Sequence, residues 1–269
     1  MLVLGVGLLT GWGSGTSALP GDARAAADGR RVIPLATPPC EGERFRRATR
    51  ECVLGVAAVE AALTDAGLSR AEISGPDTAL VYVTAAAYGS SNRRFIDGDA
   101  GRGGTTSGLY FPYTAPSAVP AEVAIDYGLR GGYVILVGGA AAGVEALWQA
   151  AMLLGAGRCE RALVVAVETF VECEDLWARG RWAVRGPLVE AAACVLLEGD
   201  GDVGYAAAAI PAALETLARR RAGETLACEP LIGVALARDA GDRQAAVTGQ
   251  WRGRRMGVTL ALPTTRAYV

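Results

Sequence analysis

The place in this chain best built for chemistry carries a residue that can do none. Residues 133–143 read Tyr-Val-Ile-Leu-Val-Gly-Gly-Ala-Ala-Ala-Gly: an apolar run for a buried strand, two glycines for a sharp corner, and the start of a helix. A strand-to-helix corner of this kind presents one side chain to the first N–H groups of the helix. Their partial positive charge activates a nucleophile placed there. The corner residue is Ala140. The pattern is that of a nucleophile site without its nucleophile.

Nothing elsewhere supplies the missing group. The chain contains 0 histidines and no lysine, which removes the commonest general base and any Schiff-base amine. Its 6 cysteines (Cys40, Cys52, Cys159, Cys173, Cys194 and Cys228) form no CxxC pair and have no histidine to complete a zinc site. Most lie in apolar patterns and read as small buried hydrophobes in a reducing compartment. Cys173 lies between Glu172 and Glu174, carboxylates that raise a thiol pKa, the wrong direction for attack. Glu168 and Glu190 stand at apolar strand ends, where a carboxylate needs partners, and are read as structural hydrogen-bond acceptors. Gly5-x-Gly7 followed by Gly11 mimics a dinucleotide loop, but Gly13, Gly15 and Pro20 interrupt the helix such a loop requires.

These candidates need a scaffold of strands and helices. With 269 residues and 51% hydrophobic content the chain has ample material for a core. The net charge of −2 gives no reason to expect a nucleic-acid partner. The apolar N-terminus is broken by glycines and lacks a basic flank, so it reads as a core strand rather than a signal peptide or membrane span. Residues 12–44 read as a surface excursion, 45–66 as an amphipathic helix with Gly67 at its C′ position, and 77–84 as a buried strand. A long polar loop is expected over 88–108. Thr114 or Ser117 caps a short helix ending near Tyr127. Strand 133–138, helix 140–155 and strand 161–168 form a parallel crossover unit. A loop over 175–187 leads to strand 191–197, and then come a helix near 211–222 and candidate strands 230–237, 244–250 and 256–262.

The stretch Gly128-Leu129-Arg130-Gly131-Gly132 through Ala140-Ala141-Ala142-Gly143 resembles, without gaps, the turn, strand and elbow of β-ketoacyl synthases. In that family the turn reads Gly-Leu-x-Gly-Pro and the elbow Ala-Cys-x-Ser-Gly. The likeness places Ala140 at the cysteine, Ala142 at the serine, and Gly132 at the proline. Leu4 to Thr10, the helix from Arg47 to Leu68, and the strands 161–168 and 190–198 resemble the family in the same order. The fold implied is α/β: a thiolase-like layered domain with a mixed, mainly parallel sheet. Residues 1–205 correspond to the N-terminal half, and 206–269 to a reduced C-terminal remnant packed on the same domain. The family uses Cys-His-His, and its histidines belong to a second half that the remnant is too short to hold in full.

The resemblance further implies a non-catalytic, cytoplasmic subunit similar to the chain length factors of type II polyketide synthases. Such a subunit is not an enzyme by itself. It pairs as a heterodimer with an active ketosynthase, meets acyl carrier protein through that complex, and bounds the tunnel of the growing polyketide or polyene. No cofactor, metal, nucleic acid or membrane partner is expected. The tunnel and interface candidates are Tyr110, Phe111, Tyr113, Thr114 and Ala115, with Val134, Leu136 and Gly138 on the strand before the elbow. The alternatives are a stand-alone ketosynthase-like acyltransferase or decarboxylase working without the cysteine, and a homodimeric acyl-binding module.

Overall fold

The computed structural model describes residues 1–46, 48–101, 108–171, 174, 186–199 and 210–263. Its centre is a sheet built from β1 (Leu2–Thr10), β2 (Gly13–Ser14), β4 (Thr78–Thr84), β5 (Tyr133–Val137), β6 (Arg161–Glu168), β8 (Ala191–Glu198), β9 (Gln244–Trp251) and β10 (Arg254–Ala261). The spatial order is β5-β4-β6-β8-β1-β10-β9, with β2 paired to β1. Two further short strands, β3 (Val32–Ile33) and β7 (Leu188–Val189), pair separately. The parallel character lies in β5-β4-β6, whereas β8 runs antiparallel to both of its neighbours. β1 meets β10 in parallel only at Leu2 and Ala261.

The helices are α1 (Ala23–Ala27), α2 (Arg50–Ala66), α3 (Arg70–Ile73), α4 (Ala87–Gly101), α5 (Ala118–Tyr127), α6 (Ala140–Gly155), α7 (Ala213–Ala222) and α8 (Glu229–Asp239). Strand β6 shows how they are layered. Leu163, Val165 and Val167 join the core shared with α2 and α5, and Ala162, Val164 and Ala166 join the core shared with α6 and α8. Burial on both faces explains why β6 is continuously apolar rather than alternating. The sheet curls beyond β1, so that β9 and β10 lie across the far side of α6 and enclose it. That enclosure buries a broad face of the helix, from Ala140 to Leu154, and leaves Met152 on the exposed side.

Gly5 and Gly7 are contact points between sheet and helix. A Cβ at Gly5 would stand 2.3 Å from the Ala62 carbonyl oxygen, and one at Gly7 2.1 Å from that of Ala58. They let α2 lie close on β1 and serve no phosphate. Gly67 ends α2 in the left-handed conformation expected of it, at φ 68°.

Three sequence expectations are corrected. Residues 88–101 belong to helix α4 rather than to a loop, and Thr84 Oγ1 starts that helix by accepting from Ala86 N and Ala87 N. Residues 230–237 form most of α8 rather than a strand. An all-apolar run buried on every side has no readable period, and Pro230 in the first turn suits a helix. Ser117 occupies the N-cap position of α5 but makes no side-chain cap bond, and Thr114 Oγ1 donates instead to the Phe111 carbonyl.

Candidate active-site elbow

The corner between β5 and α6 has the geometry its sequence suggests. Gly138 N donates to Thr84 O at 2.9 Å, which extends the β4–β5 ladder to the end of the strand. The Gly139 carbonyl then accepts from Ala142 N at 2.8 Å and Gly143 N at 3.1 Å, and the helix begins. Ala140 is its first residue, 3% exposed. Close approaches of backbone and of one indole ring explain the surrounding glycines. A Cβ at Gly143 would lie 2.4 Å from Ala227 O, one at Gly139 2.5 Å from two ring atoms of Trp251, and one at Gly249 2.3 Å from Ala140 O.

Glu168, at the end of β6, holds the floor of this corner. One carboxylate oxygen accepts from Ala85 N at 2.7 Å and Ala227 N at 3.2 Å. The other accepts from Ala86 N at 2.9 Å and lies 3.4 Å from Thr84 Oγ1. Burial pushes its pKa up to about 8 against those donors. Surrounded in this way, it fastens the start of α4 to the 225–228 loop and has no lone pair to offer a substrate. Leu226 in that loop holds φ 47°, a strained value for a branched residue.

Glu190 is a second fastener. It accepts from Phe170 N at 2.7 Å, Val171 N at 3.0 Å, Leu35 N at 2.9 Å and the Arg50 guanidinium. Burial alone would raise its pKa, but Arg50 and the three amides together hold it below the usual carboxylate range. A third carboxylate group gathers around Arg219, which bonds Glu229 at 2.8 Å and Glu215 at 3.3 Å, with Glu224 at 3.7 Å. Burial pushes Glu229 up to about 8 even beside Arg219.

No described thiol is poised to replace the missing one. Burial raises the pKa of Cys40, Cys52, Cys159, Cys194 and Cys228, that of Cys52 to about 12. Cys173 and residues 175–185 lie outside the described residues. Among the described residues, therefore, the corner offers a helix N-terminus and a methyl group but no nucleophile–base pair.

The other candidates fall into two groups. Val134 and Leu136 are half-buried and turn toward α6, Ile135 turns toward α2 and α5, and Gly138 is half-buried at the elbow. With the 3-10 turn Gly108–Thr114 come Phe111, which is exposed and edge-on to Phe95, and half-buried Tyr113 and Thr114. Ala115 follows, exposed. The Tyr110 side chain lies outside the described residues. Strand β5 has β4 on one side and no described strand on the other. Ladder alternation aims the amides of Tyr133, Ile135 and Val137 off that free edge. The side chains of Tyr133 and Val137 are 52% and 56% exposed, and Ile125 of α5 and Met152 of α6 add apolar surface from the two flanking helices. The residue missed by sequence reasoning is Trp251, which covers the elbow. Its only signal was a lone tryptophan before the Arg252-Gly253 turn.

The family model for the N-terminal domain of β-ketoacyl synthases matches residues 38–185, more than half of the chain. The chain belongs to the β-ketoacyl synthase family. Solved structures agree on the fold. A chain from the complex AntDE:AntF, a type II polyketide synthase acyl-carrier protein with its ketosynthase bound to the hexaketide, superposes with a TM-score of 0.75. It is 15% identical, over 97% of this chain and 98% of that one. The ishigamide ketosynthase/chain length factor gives 0.70 at 17% identity, over 97% and 99%. A chain from the complex of the ketosynthase ApeO with its chain length factor ApeC from Xenorhabdus doucetiae gives 0.62 at 14%, over 95% and 96%. A sequence search of curated proteins finds no match. At these identities the structural likeness speaks for the thiolase-like ketosynthase fold alone. No helix among the described residues is long and apolar enough to cross a membrane.

Proposed function

We propose that this ketosynthase-like chain is the non-catalytic partner of an active ketosynthase, a chain length factor that bounds the acyl tunnel of a polyketide or polyene synthase. The observation that carries this reading is Ala140, buried as the first residue of α6 where the family's nucleophile belongs. A methyl group cannot form an acyl-enzyme bond, and the chain has no histidine to serve as base. The free, apolar edge of β5 supports a partner, because proteins cover such edges or pair them. Two of the matched structures are themselves complexes or pairs of a ketosynthase with a chain length factor. In this proposal residues 1–205 make the ketosynthase-like half and 206–269 a shortened remnant on the same domain. Acyl carrier protein meets the chain through the complex, in the cytoplasm.

The test is co-expression with the ketosynthase encoded nearest to it, followed by size-exclusion chromatography with mass detection. A one-to-one heterodimer is expected. A stable homodimer indifferent to ketosynthases, or acyl transfer by the purified chain alone, would overturn the proposal. In the heterodimer, Ala115→Phe adds bulk at a proposed tunnel position. Products shorten if the tunnel floor is there, since each methylene excluded forfeits about 0.8 kcal/mol of burial.

A further inference from the structure

The corner at Ala140 lacks room as well as a sulfur atom. The Trp251 ring lies against the Cα of Gly139, so close that a Cβ there would meet Cδ2 and Cε3 at 2.5 Å. The backbone of Gly249, two residues earlier, lies on the Ala140 carbonyl. Both belong to the β9–β10 hairpin, whose two-residue turn, Arg252 and Gly253, has positive φ at both positions (50° and 81°). Three contacts hold the hairpin down. Thr248 Oγ1 donates to Glu215 at 2.6 Å, Arg255 donates to Ile210 O at 2.9 Å, and Arg254 pairs at 3.3 Å with Glu145 of α6 itself. The indole also packs against the cluster of Phe170, Leu188 and Leu226.

We propose that Trp251 is a plug: it fills the space in front of the elbow and closes this chain's own corner to acyl thioesters. The inference rests on reading Ala140 as the vacated nucleophile position. An acyl group directed at Ala140 meets the indole, and entry requires the ring to leave both Gly139 and the Leu226 cluster. Restoring a thiol at 140 therefore restores no access.

The experiment places a reporter thiol at the corner. Ala140→Cys is made in the full chain, with and without Trp251→Ala, and treated with iodoacetamide under native conditions. Alkylation of the peptide containing position 140 is followed by mass spectrometry. With Trp251 in place the introduced thiol reacts at least about tenfold more slowly than in the double variant, because its reaction waits on local opening. Trp251→Phe, which keeps a ring, retains most of the protection. Equal rates with and without Trp251 overturn the plug, whether both are fast, the corner being open, or both slow, the cover lying elsewhere. Thermal melting checks the fold of each variant, and if Trp251→Ala does not fold, Trp251→Leu against Trp251→Phe makes the same comparison. Co-purification with a ketosynthase is read separately. An open corner would sink the plug and leave the partner-subunit reading standing.

Discussion

Glu190→Gln removes a charge and reverses two hydrogen-bond roles in the interior. The wild-type carboxylate is fully buried and takes four donors, from Phe170, Val171, Leu35 and Arg50. An amide keeps one oxygen for two of them and turns an NH2 group toward the others, so donors face donors. It also leaves the Arg50 guanidinium, whose Nη1 is buried with no partner among the described residues, without its opposite charge. Breaking a buried ion pair from one side costs about 3–5 kcal/mol. For a domain of this size that is a fall in melting temperature of roughly 6–20 °C. The sign of the pH dependence follows from the lowered pKa. Glu190 contributes stability that is present above the ordinary glutamate range and is lost as pH falls through its own, lower value. Chemical denaturation of both proteins at neutral pH and near pH 3 should therefore show a large gap that narrows in acid. The paired variant Glu190→Met with Arg50→Met, having no orphan charge, should lose less than Glu190→Gln alone. A neutral-pH loss under about 1 kcal/mol would refute the assignment of Glu190 as the clamp between the 35 and 170 segments.

Glu168 and Glu229 work in the opposite sense. Their folded pKa values of about 8 lie above the unfolded value, so stability falls as pH rises from about 4.5 through 8. Urea midpoints measured from about pH 5.5 to 8.5 should decline, and Glu229→Gln should flatten the decline; a slope unchanged by that substitution would remove Glu229 from the account. Gly7→Ala sets a methyl 2.1 Å from a helix carbonyl, where only backbone can yield, and should cost about 3 kcal/mol or prevent folding. Val137→Lys, at an exposed position, should leave the melt within about 0.5 kcal/mol and weaken ketosynthase co-purification at least tenfold, about 1.4 kcal/mol. Undiminished pairing would place the interface elsewhere.

The elbow and its flanking strands were legible because glycine and apolar patterning there answer to local rules. Strand 133–138, helix 140–155 and strand 161–168 were each expected within a residue of their observed bounds. The structural roles read for Glu168 and Glu190 agree with their donors for the same reason: a carboxylate at the end of an apolar strand must be paid in hydrogen bonds. What could not be read depends on distant neighbours. α4 carries too many glycines and polar residues to show a helical period, and its start is set by Thr84 and by Glu168, which lies far along the chain. α8 was obscured by its own burial, since a helix enclosed by α6, α7 and β9 has no polar face to reveal its turn. Trp251 is the sharpest case. Its meaning depends on the sheet curling until β9 reaches the N-terminus of α6, a contact no local pattern contains.

The alanine and the tryptophan are one structural fact seen from two sides. A working elbow must admit a substrate, so the space before its nucleophile has to open, and an open apolar space is a cavity that costs stability whenever it is empty. Once position 140 carries a methyl group, no acyl intermediate requires that space. Filling it with an indole on Gly139 and Leu226 then contributes core packing at no catalytic cost. The same logic separates the start of α6 from the strand that leads into it. The helix N-terminus is closed by β9 and the 225–228 loop, whereas the β5 edge beside it stays open and apolar. A chain that binds acyl groups at its own corner would need the reverse arrangement. Closure at the elbow with exposure at the edge is the arrangement expected of the proposed partner subunit, which would meet another protein at its surface and need no substrate at its own corner.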